Sequence, residues 1–132
     1  MALLLPWYMF LFVGAFDWGF YAHALISTES AARVAANFAS QSTANSTDST
    51  DVCTLALQEL SITPNVAGVS TCTGSSPVRV TATELTGTNS PDGQPAAQVT
   101  IQYTTLQLIP IPGVLTSQAT FNRKAVMRIS GP

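Results

Sequence analysis

Residues 1–40 read MALLLPWYMFLFVGAFDWGFYAHALISTESAARVAANFAS, and this stretch decides the architecture. The first sixteen residues, through Phe16, carry no charged side chain. Asp17 interrupts, apolar character returns in WGFYAHALI, and the sequence then fades into the small and polar STESAARVAANFAS. A bilayer core is crossed by about 20 apolar residues in a helix, because a helix satisfies its own backbone. The segment is therefore long enough to span, with one carboxylate tolerated. It reads as one continuous helix whose weak points are Gly14 and Gly19, placed either in lipid or against copies of itself. A cleaved secretory signal fits badly, since no basic residue precedes Arg33 and the helical pattern runs on past the apolar stretch.

The second half of this helix has a period. Ala24, Thr28, Ala32, Ala36 and Ser40 recur at every fourth position, as do Ser27, Ala31, Ala35 and Ala39. Ile26, Ser30, Val34 and Phe38 form a neighbouring stripe with the larger groups. Small residues at this spacing let a second backbone approach closely, as between membrane helices. Ala31 and Ala35 are accordingly expected at a helix contact between subunits, which Leu at either position would block. The plainer account is that alanine-rich helices simply form well.

Only 9% of residues are charged and the net charge is −2, with Arg33, Arg79, Arg123, Lys124 and Arg128 scattered, so no nucleic-acid footprint is visible. Ser and Thr make up 30 of the 132 residues, mostly after position 39, which suits an exported sheet surface facing water. Beyond the helix, about ninety residues remain, enough for one small domain. Cys53 and Cys72 are an even pair in this context and favour a disulfide over two buried thiols. Closing a loop of about twenty residues is worth roughly 3 kcal/mol by loop entropy. The single histidine, His23, lies in the helix, where it reads as a packed polar tip rather than a ligand, and no metal or other cofactor is expected. The acidic residues are dispersed and no Gly-rich phosphate loop exists, so the chain is not expected to be an enzyme.

Residues 40–51, SQSTANSTDSTD, read as a polar linker, after which Thr50 or Asp51 caps a short helix, VCTLALQEL, that ends before Pro64 and Asn65. The period then becomes two. Val78, Val80 and Ala82, then Val99, Ile101 and Tyr103, then Phe121, Ala125, Met127 and Ile129 mark three half-buried antiparallel strands. Residues 86–95 and 109–113 connect them, and a weaker strand is expected over 66–72. The fold class is α+β: a long N-terminal helix, a short helix and a C-terminal antiparallel sheet of three to four strands. The division expected is 1–40 for the helix and 41–132 for the globular part, with residues 25–40 lying partly on the sheet.

This order of elements outlines the pilin architecture, and the residues resemble the TadE-like pilins of tight-adherence (Flp-type) secretion systems. Those begin with a basic leader, a cleavage point, then a Glu and an apolar run of the form A-L-x-L-P, which Ala2-Leu3-Leu4-Leu5-Pro6 matches. Gly14-Ala15-Phe16-Asp17-Trp18-Gly19 looks like the family's Gly-x-x-Asp/Glu-x-Gly element, and Glu29-Ser30-Ala31-Ala32-Arg33 is similar to its A-A-R segment. VTIQYTTLQLIPIPG and KAVMRI resemble its strand with a Pro/Gly loop and its final strand. The family's Glu, which pairs with a neighbour's amine in pilins, would stand immediately before Met1, and a truncated start is expected. The resemblance implies a subunit of an extracellular pilus-like filament, held in the inner membrane by its helix before assembly. It further implies contact with assembly machinery, and a homo-oligomeric filament or one mixed with other pilins. Leu3, Leu4, Leu5, Pro6, Phe10, Phe12, Gly14, Phe16, Gly19, Ala31 and Ala35 would pack the filament core. The alternatives are a minor pilin that primes or caps a filament and a bitopic envelope protein of a secretion complex.

Three further positions need weighing. Asp17, an ionisable group in an apolar helix, is a functional hypothesis by default. It would pair with Arg33, Lys124 or another subunit's amine, or accept from a Tyr or Trp, unless it merely marks the edge of the bilayer span. Pro6 either opens the helix or kinks it. Asn45-Ser46-Thr47 is an acceptable glycosylation sequon, with sugar on the neighbouring hydroxyls as an alternative, yet a solvated linker explains the segment better. Asp92-Gly93 reads as a turn with too few carboxylates for calcium.

Overall fold

The computed structural model of the chain describes residues 4–106 and 118–130. Helix α1 runs without a break over Leu4–Ala39, about 54 Å at 1.5 Å per residue. Leu3 lies outside the described residues, as does the 109–113 connection, and Pro6 falls in the first described turn. The polar stretch after α1 is not an open linker. Ser42 caps a short helix α2 (Thr43–Ser46) by accepting from the Asn45 N–H. Asp48, rather than Thr50 or Asp51, caps α3 (Ser49–Glu59), its carboxylate accepting from the Thr50 and Asp51 N–H groups at 2.9 and 3.2 Å. An N-cap oxygen must reach N–H groups two or three residues on, which Asp48 does from just outside the helix.

Strands β1 (Val78–Leu85), β2 (Ala96–Thr104) and β3 (Thr120–Arg128) form one antiparallel sheet in the order β1-β2-β3. Val80 pairs with Ile101 and Tyr103 with Phe121, in the register that period-two alternation requires. The weaker strand expected over 66–72 does not form; those residues are turn and irregular backbone, with Cys72 held to α3 by its disulfide. Between β1 and β2 the chain turns through Gly87–Asn89 and Asp92-Gly93. Gly93 has φ +75°, a conformation a Cβ would strain, and the Asp92 carboxylate accepts from the Gln94 N–H at 3.2 Å.

The helices cover one face of the sheet, α1 over β2 and β3, and α3 over β1 and against α1. The core gathers Ala31, Ala35 and Ala39 of α1 with Val52 and Leu57 of α3 and Val78, Val99, Ile101 and Tyr103 of the sheet. Because alanines line the buried side of α1, its axis can lie close to the sheet. The end of β3 is clipped to the end of α1, where the Ser130 N–H donates to the Ser40 carbonyl at 3.0 Å. Residues 24–39 thus belong to the globular core, and a division at residue 40 runs through one packed unit.

Tyr103 is fully buried, and its hydroxyl lies 3.0 Å from the Pro64 carbonyl and 2.9 Å from the Asn65 side-chain oxygen, tying β2 to the loop after α3. Burial pushes its phenol above the ordinary value near 10, against a smaller opposing influence from Thr63. The folded chain therefore holds this proton more tightly than the unfolded chain. The corresponding stability is complete below about pH 10 and falls as pH rises above it. Tyr103→Phe is expected to cost about 1–2 kcal/mol at neutral pH, because the single O–H shared between the Pro64 carbonyl and the Asn65 side-chain oxygen is lost. It should also remove this group's share of the alkaline loss. Urea midpoints of both proteins at pH 7 and pH 10.5 check the two effects, and an equal alkaline loss in both would refute the second.

Candidate functional site

The site is the exposed length of α1. Leu4, Leu5, Trp7, Tyr8, Met9, Phe10, Leu11, Phe12 and Phe16 are each more than half exposed, and Trp18 is 79% exposed. Apolar groups cover the helix all round here, and polar backbone groups pair within it. Such a surface belongs in lipid or among other apolar helices, not in water. The helix is long and apolar enough to cross a membrane, and its most apolar window is only 11% buried in the subunit, unlike the core helix of a soluble protein. Gly14 and Gly19 have open space where a Cβ would stand, so neither is demanded by packing inside the subunit.

The two halves of α1 meet near Asp17 and Tyr21. The Tyr21 ring packs edge-on to Phe121 of β3 at 6.4 Å, the first aromatic contact between helix and sheet. Asp17 is 5% exposed, and its Oδ2 has no hydrogen-bond partner. The expected pairing with Arg33 is not formed. Sixteen residues separate them, about 24 Å along the helix axis, and Arg33 instead pairs with Glu29 at 2.7 Å one turn away. Lys124 makes no ion pair with Asp17 either among the described residues. His23 is exposed rather than packed. Among the described residues no cluster of metal-ligating groups occurs.

Ala31 and Ala35 require a correction. Both are completely buried in the subunit's own core, so neither is open to a neighbouring helix. The small-residue stripes serve the close approach of α1 to its own sheet and α3. The bulkier stripe is divided: Ile26 is 67% exposed and Val34 is 38% exposed, whereas Phe38 packs partly against the core. Its larger groups were visible in the sequence, but their direction was not.

Asn45 lies half-buried in α2, not in an open loop, and the Ser46 hydroxyl is buried and donates to the Thr43 carbonyl at 2.7 Å. Cys53 and Cys72 are joined, fixing α3 to the loop that precedes β1.

A long helix, apolar at one end and built into a small disulfide-bonded α+β head at the other, defines a membrane-anchorable subunit. The family described as TadE-like protein matches residues 1–37. That match covers the helix, in both its exposed and buried halves, and not the sheet. No curated protein and no solved structure matches the chain. The TadE-like match and the apolar helix together fit a pilus-related, membrane-anchored subunit.

Proposed function

We propose that the chain is a structural subunit of an extracellular pilus-like filament, held in the inner membrane by α1 until assembly. The carrying observation is the exposed apolar surface of residues 4–18 on a head that is otherwise packed. Each large apolar side chain taken out of water is worth about 1.5–3 kcal/mol. Ten of them sum to more than the roughly 5–15 kcal/mol that holds a domain folded. A subunit released from lipid therefore needs an equivalent apolar environment, and a bundle of α1 helices supplies it without a separate carrier.

In that bundle Leu4, Leu5, Phe10, Phe12 and Phe16 pack among neighbours, and the exposed Trp18 adds to the contact. Asp17, buried at the junction with its Oδ2 unpartnered, is not open to an adjacent subunit's cation unless the side chain turns outward. The sheet faces solvent. No catalytic role is part of this reading.

Mechanical shearing of cells, followed by electron microscopy and mass spectrometry of the released material, tests the proposal. The chain is expected in both the membrane and the sheared filaments. Recovery from membranes alone, with filaments present and free of it, would overturn the proposal in favour of the bitopic envelope protein.

A further inference from the structure

A row of contacts crosses the head at the level where α1 first meets the sheet. Tyr21 packs on Phe121 of β3, Phe121 pairs with Tyr103 of β2, and Tyr103 pairs with Val78 of β1. The Tyr103 hydroxyl reaches Pro64 and Asn65 after α3, and the Asn65 amide donates to the Thr104 carbonyl at 3.0 Å. This row marks the lower end of the head, the one nearer the apolar half of α1. At the upper end Ser130 is bonded to Ser40, and Leu85 of β1 pairs with Ala96 of β2.

The two ends differ in charge and in exposed apolar groups. The upper end carries Asp48 at the cap of α3, Glu84 near the end of β1, and the Arg128–Asp92 pair. The sequences that join α3 to β1 and β2 to β3, residues 60–78 and 104–122, contain no charged residue. Glu59 and Arg79 flank the first of them, and the Arg79 guanidinium donates to the Gly74 carbonyl at 2.8 Å. Ile62, just before the Pro64 junction, is 75% exposed, and Leu106, just after Thr104, is 39% exposed. Outside α1 the one other exposed large apolar side chain among the described residues is Val126.

No spacer separates this end from the apolar helix. α1 is continuous, and the exposed Trp18 stands about 4.5 Å along the axis from Tyr21. Exposed Trp rings collect at the polar boundary of a bilayer. We propose that, while α1 lies in the membrane, the lower end of the head rests on the lipid surface, with Ile62 and Leu106 set among the headgroups. Charged side chains pressed there would lose hydration, a cost that an uncharged end avoids. The two aliphatic groups gain by leaving water. The inference rests on the membrane-anchored reading above and adds a second, shallower attachment that sets the tilt of the head before assembly.

Photochemical cross-linking of the full-length chain in vesicles of phosphatidylethanolamine and phosphatidylglycerol tests it. A benzophenone amino acid is placed singly at Ile62, Leu106, Phe12 or Thr83. Phe12 is exposed on the apolar half of α1, and Thr83 is exposed on β1, about 16 Å above the row. Expected after illumination is a mass increase of one phospholipid at Phe12, Ile62 and Leu106, and none at Thr83. A lipid adduct at Phe12 with none at Ile62 or none at Leu106 would overturn the docking and leave the anchor standing. A join from Ile62 to a second copy in place of lipid would make a neighbouring head the cover and overturn it too. An adduct at Thr83 equal to that at Ile62 would also overturn it, since the sheet would then meet lipid as readily as the end does. No adduct at Phe12 would defeat the anchor itself, and the docking with it.

Discussion

Ala35→Leu is expected to destabilise the subunit itself by about 3 kcal/mol, at the upper end of overpacking costs. Ala35 has no exposed surface and lies in the cluster that joins α1 to α3 and the sheet. Three more carbon atoms there must push α1 outward or force side chains off their rotamers. Outward movement is opposed at the helix end, where Ser130 is bonded to Ser40. For a domain of this size the loss corresponds to a thermal midpoint lower by roughly 10–15 °C. Ile26→Ala serves as the contrast, because Ile26 is 67% exposed and its loss should move the midpoint by little. Melting both full-length variants in detergent checks the pair. An unchanged midpoint for Ala35→Leu, with filaments lost, would return Ala35 to the surface between subunits.

Removal of the disulfide is the second large effect. Cys53 and Cys72 are 19 residues apart, and opening that loop is expected to cost roughly 3 kcal/mol. Between them lie the end of α3 and a run of turns through Pro64 and Asn65, held otherwise by the Tyr103 hydroxyl and by the Asn65 amide donating to the Thr104 carbonyl at 3.0 Å. The Cys53→Ala, Cys72→Ala double variant should therefore unfold at a lower denaturant concentration. Reductant should shift the wild type to about the same midpoint and leave the variant where it is. Equal midpoints for variant and oxidised wild type would show that the crosslink contributes nothing.

The signals that were legible in the sequence are local ones. A charge-free run of sixteen residues announces the apolar helix wherever the rest of the chain goes. Val99, Ile101 and Tyr103 alternate with polar residues because a strand with one face on a core has no other way to bury them. Asp48 caps α3, two to three residues before Thr50 and Asp51, because the run around it offers several side chains able to accept and local geometry chooses among them. Residues 66–72 carried the valines of a strand, but Gly68 at φ +84° and the disulfide hold them as turns.

The sequence by itself determined the long helix, its apolar end, the three strands and the pair of cysteines, because period, composition and count are properties of short segments. Which side of α1 turns inward was decided only by the tertiary structure. A stripe of alanines suits a neighbouring subunit's helix and the chain's own sheet equally well, and the sheet took it because β2, β3 and α3 close over it within one molecule. The same is true of the lower end of the head. Ile62 and Leu106 stand far apart in sequence, and one end presents both because Asn65 is bonded to Tyr103 and Thr104.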